Sequence, residues 1–353
     1  MYTKKKGVWV KSDQPGNVGV SQIGYNAHND YNVDNSDTFF SNVKVIATQN
    51  DTFTPPSIRN GYLYFNMISE GYAKVDPNTF SIIEKSGVSS GFNGILTTNN
   101  YVIFTNNFNY YVYSLDGTHV QTVSTGNNRT VQAILIADNY VYIGKRYSPY
   151  NMKCYNINDG SFVNSFASSN TWYSGLMCYN NSIYAISRGG FYKLDLQLNL
   201  LQSYDITAAY GRAIVVLDYV YITADDGYLY KFDLDLNYIH KISVGSNGSR
   251  KVSYHNGYLY HCADGYLRQI DLDLNLMNSV YDYNFRSYNV CVSSNYAYVG
   301  SNVTGRIYQV SLSNFTINNS IQVSSKYTHP FITIYNSALY CAGYTSHYYY
   351  QIT

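Results

Sequence analysis

The chain carries little charge. Lys, Arg, Asp and Glu make up 13% of its 353 residues, about half the usual quarter. Twenty-three basic residues nearly cancel 22 acidic ones, for a net charge of +1. No overall field draws such a protein to nucleic acid or an acidic membrane, so neither is expected as a partner. A cysteine framework is missing too. The five cysteines are odd in number and no C-x-x-C spacing occurs, which argues against a disulfide scaffold or zinc site. Cys178, Cys291 and Cys341 sit among apolar neighbours and read as buried thiols. No window approaches 18 consecutive apolar residues, so no membrane-spanning helix is expected. Lys4, Lys5 and Lys6 are followed by no apolar run, so a secretory signal is not expected. The chain is therefore expected to be made in the cytoplasm, and either to stay there or to leave the cell by lysis or assembly into a particle.

Chemical motifs are equally scarce. There is no G-x-S-x-G elbow, no phosphate-binding loop and no Ser/His/Asp arrangement. The seven histidines show no metal spacing; His255 and His261 fall six residues apart, on one strand face but far from each other. No cofactor, metal or catalytic residue is expected. The remaining enzymatic alternative is a polysaccharide-acting carboxylate pair drawn from distant loops.

What the chain does have is tyrosine, 43 of them, and a phrase that recurs eight times. It reads GYLYF at 61–65, NYVIF at 100–104, NYVYI at 139–143, NSIYA at 181–185, DYVYI at 218–222, GYLYH at 257–261, NYAYV at 295–299 and SALYC at 337–341. Its fourth letter falls at Tyr64, Ile103, Tyr142, Tyr184, Tyr221, Tyr260, Tyr298 and Tyr340, separated by 39, 39, 42, 37, 39, 38 and 42 residues. A strand-like unit repeated about every 40 residues signals four-stranded blades around an axis. Tyr suits the pleated surfaces between stacked blades, filling space with its ring while its hydroxyl reaches the rim.

Residues 212–245 show one repeat: RAIVVLD, YVYITADDG, YLYKFDLDLN and YIHKISVG, four strands with turns between them. Asp226-Gly227 is a hairpin signal, and Asn-Gly or Asp-Gly recurs at 60–61, 116–117, 159–160, 256–257 and 264–265. Inner strands are predicted to begin near Ser57, Gly94, Ala133, Gly175, Arg212, Lys251, Asn289 and Pro330. The last repeat has three strands and stops. NVKVIATQND (42–51) reads as a lone fourth strand ahead of the first repeat. Closing the ring with it leaves no exposed seam. The expectation is an all-β, eight-bladed β-propeller over 39–353, closed by an N-terminal strand that completes the C-terminal blade, with seven blades as the alternative. Residues 1–38 form an N-terminal extension, a possible docking segment.

GYLYKFDLDLN (227–237), GYLRQIDLDLN (265–275), GFYKLDLQLN (190–199) and GYAKVDPNTF (71–80) resemble the repeats of quinoprotein-like, or PQQ-like, propellers. The docking Trp of that family is absent, since the two tryptophans are Trp9 and Trp172, so the resemblance carries over neither quinone binding nor dehydrogenase activity. GVWVK (7–11) looks like a short segment near the start of phage tail and virion proteins. That likeness implies a virion or tail-associated component whose partners are other virion proteins or a surface glycan, with homo-oligomerisation possible; an intracellular scaffold is the other non-enzymatic reading.

Two sets of polar residues stand out. Asp233, Asp235, Asp271 and Asp273 sit in DLDLN turns beside Asn237 and Asn275. They lack the glycine and terminal glutamate of a calcium loop and read as turn-forming carboxylates. The second set lies where each blade leads into the next inner strand: Arg129, Trp172, Tyr173, Tyr210, Arg212, Arg250, Lys251, Arg286, Tyr288, Tyr327 and His329. Arg129, Trp172, Tyr173, Arg212, Arg250, Arg286, Tyr288 and His329 are the ligand-binding candidates, because forked guanidinium groups and aromatic rings suit anions, sugar faces or a protein partner. Arg212 and Arg250 are matched by their spacing from Ile214 and Val252.

Overall fold

The computed structural model describes residues 2–5, 8–11, 20–21, 42–47, 56–67, 71–86, 93–106, 108–126, 131–145, 151–167, 173–187, 189–206, 212–245, 251–287, 290–301, 303–323, 332–342 and 348–353. Among them every regular element is a strand. Four short strands precede the repeats: β1 (Tyr2–Lys5), β2 (Val8–Lys11), β3 (Val20–Ser21) and β4 (Val43–Ala47). The strands that follow, with β4 and β3 each joining one sheet, form eight antiparallel sheets that succeed one another along the chain. The protein is therefore an eight-bladed β-propeller.

Blade 5 shows the pattern, with strands Arg212–Val216, Tyr219–Thr223, Tyr228–Asp233 and Tyr238–Ser243 running from the channel outward. The two middle strands are sandwiched between neighbouring blades, so both faces are largely buried. The outer strand is mostly exposed. The hydrophobic core is divided accordingly: eight clusters of buried side chains each join one blade to the next. The cluster holding Leu63, Phe65 and Phe80 also contains Ala338 and Tyr340, which packs blade 8 onto blade 1.

Ring closure follows the expectation. Blade 8 consists of Ile332–Tyr335, Ala338–Ala342, Tyr348–Ile352 and β4. Ile352 pairs with Val43 and Tyr348 with Ala47. Asn42 and Thr353 exchange both backbone hydrogen bonds, at 2.8 and 3.1 Å. Inner strands begin within two residues of the predicted positions. One element was not expected. β3 pairs with the free inner edge of Val131–Ala137, Ser21 opposite Leu135 and Val20 opposite Ile136, giving blade 3 a fifth strand on the channel side.

The turns explain how short strands repeat so regularly. Asn60-Gly61, Asn256-Gly257 and Asp264-Gly265 have φ of 48 and 80°, 47 and 87°, and 52 and 81°. Two consecutive left-handed residues make the tight turn whose twist matches a hairpin. The turns before three outer strands place Leu198, Leu236 and Leu274 at φ of 65, 63 and 66°. Each of these leucines is nonetheless buried, so burial of the side chain offsets a backbone conformation that costs roughly 1 kcal/mol or more.

Candidate functional site

The repeated tyrosine belongs to the scaffold. Tyr64, Tyr142, Tyr184, Tyr221, Tyr260, Tyr298 and Tyr340 are all essentially inaccessible. Their hydroxyls do not reach the rim as the sequence suggested. Tyr142, Tyr184 and Tyr221 donate to the carbonyls of Leu196, Leu234 and Leu272 at 2.9, 2.8 and 2.8 Å. Each of those carbonyls lies in the turn before the outer strand of the next blade. Tyr340 reaches Pro77 across the ring closure at 3.3 Å.

The residue paired with the tyrosine on the third strand reinforces this clasp. Lys193, opposite Tyr184, binds Asp235 at 2.6 Å; Lys231, opposite Tyr221, binds Asp273 at 2.8 Å. In blade 8 the partner is Gln351, which donates to Pro77 at 2.6 Å and to the Tyr340 hydroxyl at 2.9 Å. Blade 2 has Ile103 instead of Tyr, and its partner is Val112, so the polar pair is replaced as a unit. Burial pushes the Tyr64 hydroxyl up to about 12, with the Glu84 carboxylate adding to the rise.

The DLDLN carboxylates are turn formers, as read from the sequence. Asp233 accepts from the Asp235 and Asn237 amides, both at 2.9 Å, and from the Asn237 side chain at 2.8 Å. Asp271 repeats this with Asp273 and Asn275. Partial burial works to raise both carboxyls, but the hydrogen bonds from Asn237 or Asn275 and a nearby lysine hold them below the usual range.

Most predicted ligand-binding residues fall in the connections. Arg129, Trp172, Arg250, Tyr288 and His329, with Tyr210 and Tyr327, lie outside the described residues. Tyr173 and Arg212 open the inner strands of blades 4 and 5, paired with Ser187 and Thr223. The match between Arg212 and Arg250 is corrected by the register. Ile214 stands opposite Tyr221, and Ser253, not Val252, stands opposite Tyr260. Arg212 therefore corresponds to Lys251, which is buried; desolvation holds its ammonium well below its ordinary pKa.

Arg286 is the candidate whose side chain is fully described, and it is exposed. It belongs to a group of rings and guanidiniums on blade 6 that sequence reading did not assemble. The strand Tyr266–Asp271 and the outer strand Leu276–Tyr281 bring Tyr266 and Tyr281 together, with ring centroids 4.8 Å apart. Arg268 lies over Tyr266 at 4.9 Å and Arg286 over Tyr283 at 5.1 Å. Tyr281 and Tyr283 are 56% and 62% exposed, unusual for rings this size.

The backbone beneath is fixed. The Phe285 amide donates to the Asp282 carbonyl at 2.9 Å and the Asn284 amide to the Asp282 carboxylate at 2.8 Å. Phe285 is wholly buried against Tyr308, which turns Tyr283 and Arg286 outward. Gly265 completes the platform: a Cβ there would stand 2.7 Å from the Tyr281 ring, and its φ is 81°. The signal available in the sequence was a departure from the repeat, since YDYNFR (281–286) occupies the place of SVGSNG (243–248) in blade 5.

The geometry defines an eight-bladed propeller with an aromatic and cationic platform at one end of blade 6. No family model and no curated protein matches the sequence. Among solved structures the chain is similar to the computationally designed Ika8 protein, at 12% identity and TM-score 0.69, over 88% of this chain and 100% of that one. It is also similar to BamB from Moraxella catarrhalis, at 14% identity and TM-score 0.70, over 89% and 99% of the two chains. At such identity the likeness is one of fold.

Proposed function

We propose that the chain is a non-enzymatic binding module, a virion- or tail-associated propeller whose blade-6 platform takes a sugar of a host-surface glycan. The observation that carries this reading is the exposed rings of Tyr266, Tyr281 and Tyr283 at one end of blade 6, with exposed Arg286 over Tyr283 and half-buried Arg268, which donates to the Ala263 carbonyl at 3.1 Å, over Tyr266. Aromatic faces stack on the apolar faces of sugars, and a guanidinium fork hydrogen-bonds hydroxyls or a carboxylate. The fixed backbone beneath these rings lowers the ordering cost of binding. The GVWVK likeness, the low charge and the tyrosine- and asparagine-rich composition support a virion setting.

A glycan array run with the wild type and with Tyr283→Ala and Arg286→Ala tests the ligand reading. Binding to a restricted glycan set that both substitutions abolish is the expected result. No binding by the wild type, or undiminished binding by both variants, refutes it. The virion assignment is tested by mass spectrometry of purified phage particles from cells encoding the chain. Consistent absence of its peptides from the particles rejects that part.

A further inference from the structure

The kind of sugar is set by what already satisfies each cation at this end of blades 5, 6 and 7, a step that rests on the glycan reading above. In blade 5, Lys241 lies over the Tyr228 and Tyr230 rings at 4.0 and 5.1 Å, and the Tyr230 hydroxyl donates to the Asp226 carboxylate. That blade supplies its own anion. In blade 7, Arg306 uses its fork internally. It donates to the Ser320 hydroxyl at 3.1 Å, the Gln322 side chain at 3.2 Å and the Ser320 carbonyl at 3.1 Å. In blade 6, Arg268 donates to the Ala263 carbonyl at 3.1 Å. Burial lowers its pKa, and the nearby Asp264 carboxylate works against that.

Arg286 is different. Among the described residues its guanidinium donates no hydrogen bond and forms no ion pair; what it touches is the Tyr283 ring, at 5.1 Å. A contact with a ring face leaves the five N–H donors of the fork open. The carboxylates of blade 6 are engaged elsewhere. Asp282 accepts from the Asn284 amide at 2.8 Å, and Asp264 lies against Gly245 of blade 5. Arg286 stands on the opposite flank, where its backbone bridges to Ser301 of blade 7.

An open fork selects among sugars. Arginine donates and cannot accept, and an oxyanion accepts and cannot donate. A neutral sugar meets the fork with hydroxyls, which match neither its charge nor its two parallel donors; an oxyanion matches both. We propose that the blade-6 platform takes an acidic sugar, its anionic group held by the Arg286 fork and its apolar face against the exposed tyrosines. The anionic group is a carboxylate or a sulfate ester, which share this chemistry.

The test is a glycan array in which each acidic glycan is printed beside its neutral counterpart. Uronates and sialates are printed before and after carboxyl reduction, and sulfated sugars before and after desulfation. The wild type should bind an acidic form at least about tenfold more tightly than its neutral counterpart, and salt should narrow the gap. A gap in the first pairs names a carboxylate, and one in the second a sulfate ester. Arg286→Gln should lower binding of the acidic form to that of the neutral one. Arg286→Lys, which keeps the charge without the fork, should recover part of it. Both variants should keep the far-ultraviolet circular dichroism of the wild type, since the side chain is exposed. Equal binding of acidic and neutral forms, still abolished by Tyr283→Ala, overturns the acidic-sugar inference and leaves the glycan reading standing. An acid preference unchanged in Arg286→Gln overturns it too. Binding of neither form overturns both.

Discussion

Removing the Tyr221 hydroxyl tests the clasp that joins the blades. In Tyr221→Phe the ring still fills its wholly buried site, but the Leu272 carbonyl, at 2.8 Å, loses its donor. The carbonyl is partly buried, and leaving a buried acceptor unsatisfied costs about 1–3 kcal/mol, the upper bound here. Tyr221→Ala removes the ring as well, and large-to-small changes of that kind cost about 3–5 kcal/mol. The unfolding entropy is about 2.1 cal/mol/K per residue, or about 0.7 kcal/mol/K for a chain of this length. The phenylalanine variant should then melt about 1–4 °C lower and the alanine variant about 4–7 °C lower. Urea unfolding followed by tryptophan and tyrosine fluorescence, with calorimetry beside it, measures both. A phenylalanine variant as stable as the wild type would refute the clasp. An alanine variant that loses less than about 1 kcal/mol would refute the packing argument as well.

Other outcomes follow from the same geometry. The Tyr64 pKa is raised from an ordinary 10.0 to about 12, so the stability it contributes is fully present below pH 10 and is lost as pH rises through about 12. Exposed tyrosines such as Tyr281 and Tyr283 ionise in the intact fold, so the reading is the difference in tyrosinate absorbance between the wild type and Tyr64→Phe. That difference should appear together with loss of the β-sheet signal, and its appearance in the intact fold would contradict this. Asp233 and Asp271 are held low, so their contribution is present above the ordinary carboxylate value and is lost as pH falls through the folded value. Asp233→Ala should cost about 1–2 kcal/mol near neutral pH by removing the acceptor of three hydrogen bonds, and the loss should shrink in acid; a pH-independent loss would argue against the charge. Replacing Lys231 and Tyr221 by the Val and Ile found in blade 2 should cost less together than the two single changes summed. A double-mutant cycle with no coupling would count against the paired substitution.

Much of the fold was readable because the tyrosine of the second strand is repeated with its turns. The missing strand of the last repeat and the spare one at 43–47 pointed to each other. β3 could not be read, because two residues on a channel edge leave no periodic signal. The clasp was only half visible. Tyr221 was conspicuous, but its acceptor is the backbone of Leu272, which every residue type offers alike. The Arg212 to Arg250 match failed because the inner strands were aligned on hydrophobicity, and Ser253 stands where blade 5 has Ile214. Alignment on the tyrosine would have given Lys251. Of the blade-6 platform only Arg286 was foreseen. Tyr266 and Tyr281 are hard to tell from packing tyrosines in sequence, since only the register brings them together at a strand end with Tyr283 beside them.

Ring closure by β4 underlies the whole arrangement, because without it blades 1 and 8 would each expose an unpaired flank. Hydrogen exchange measured by mass spectrometry on the full chain tests it directly. Amides of Val43–Ala47 should be protected to the same degree as those of Tyr348–Ile352, and both should open in one cooperative step. Exchange of Val43–Ala47 at the rate of an unstructured peptide, with Tyr348–Ile352 still protected, would contradict the closed eight-bladed ring.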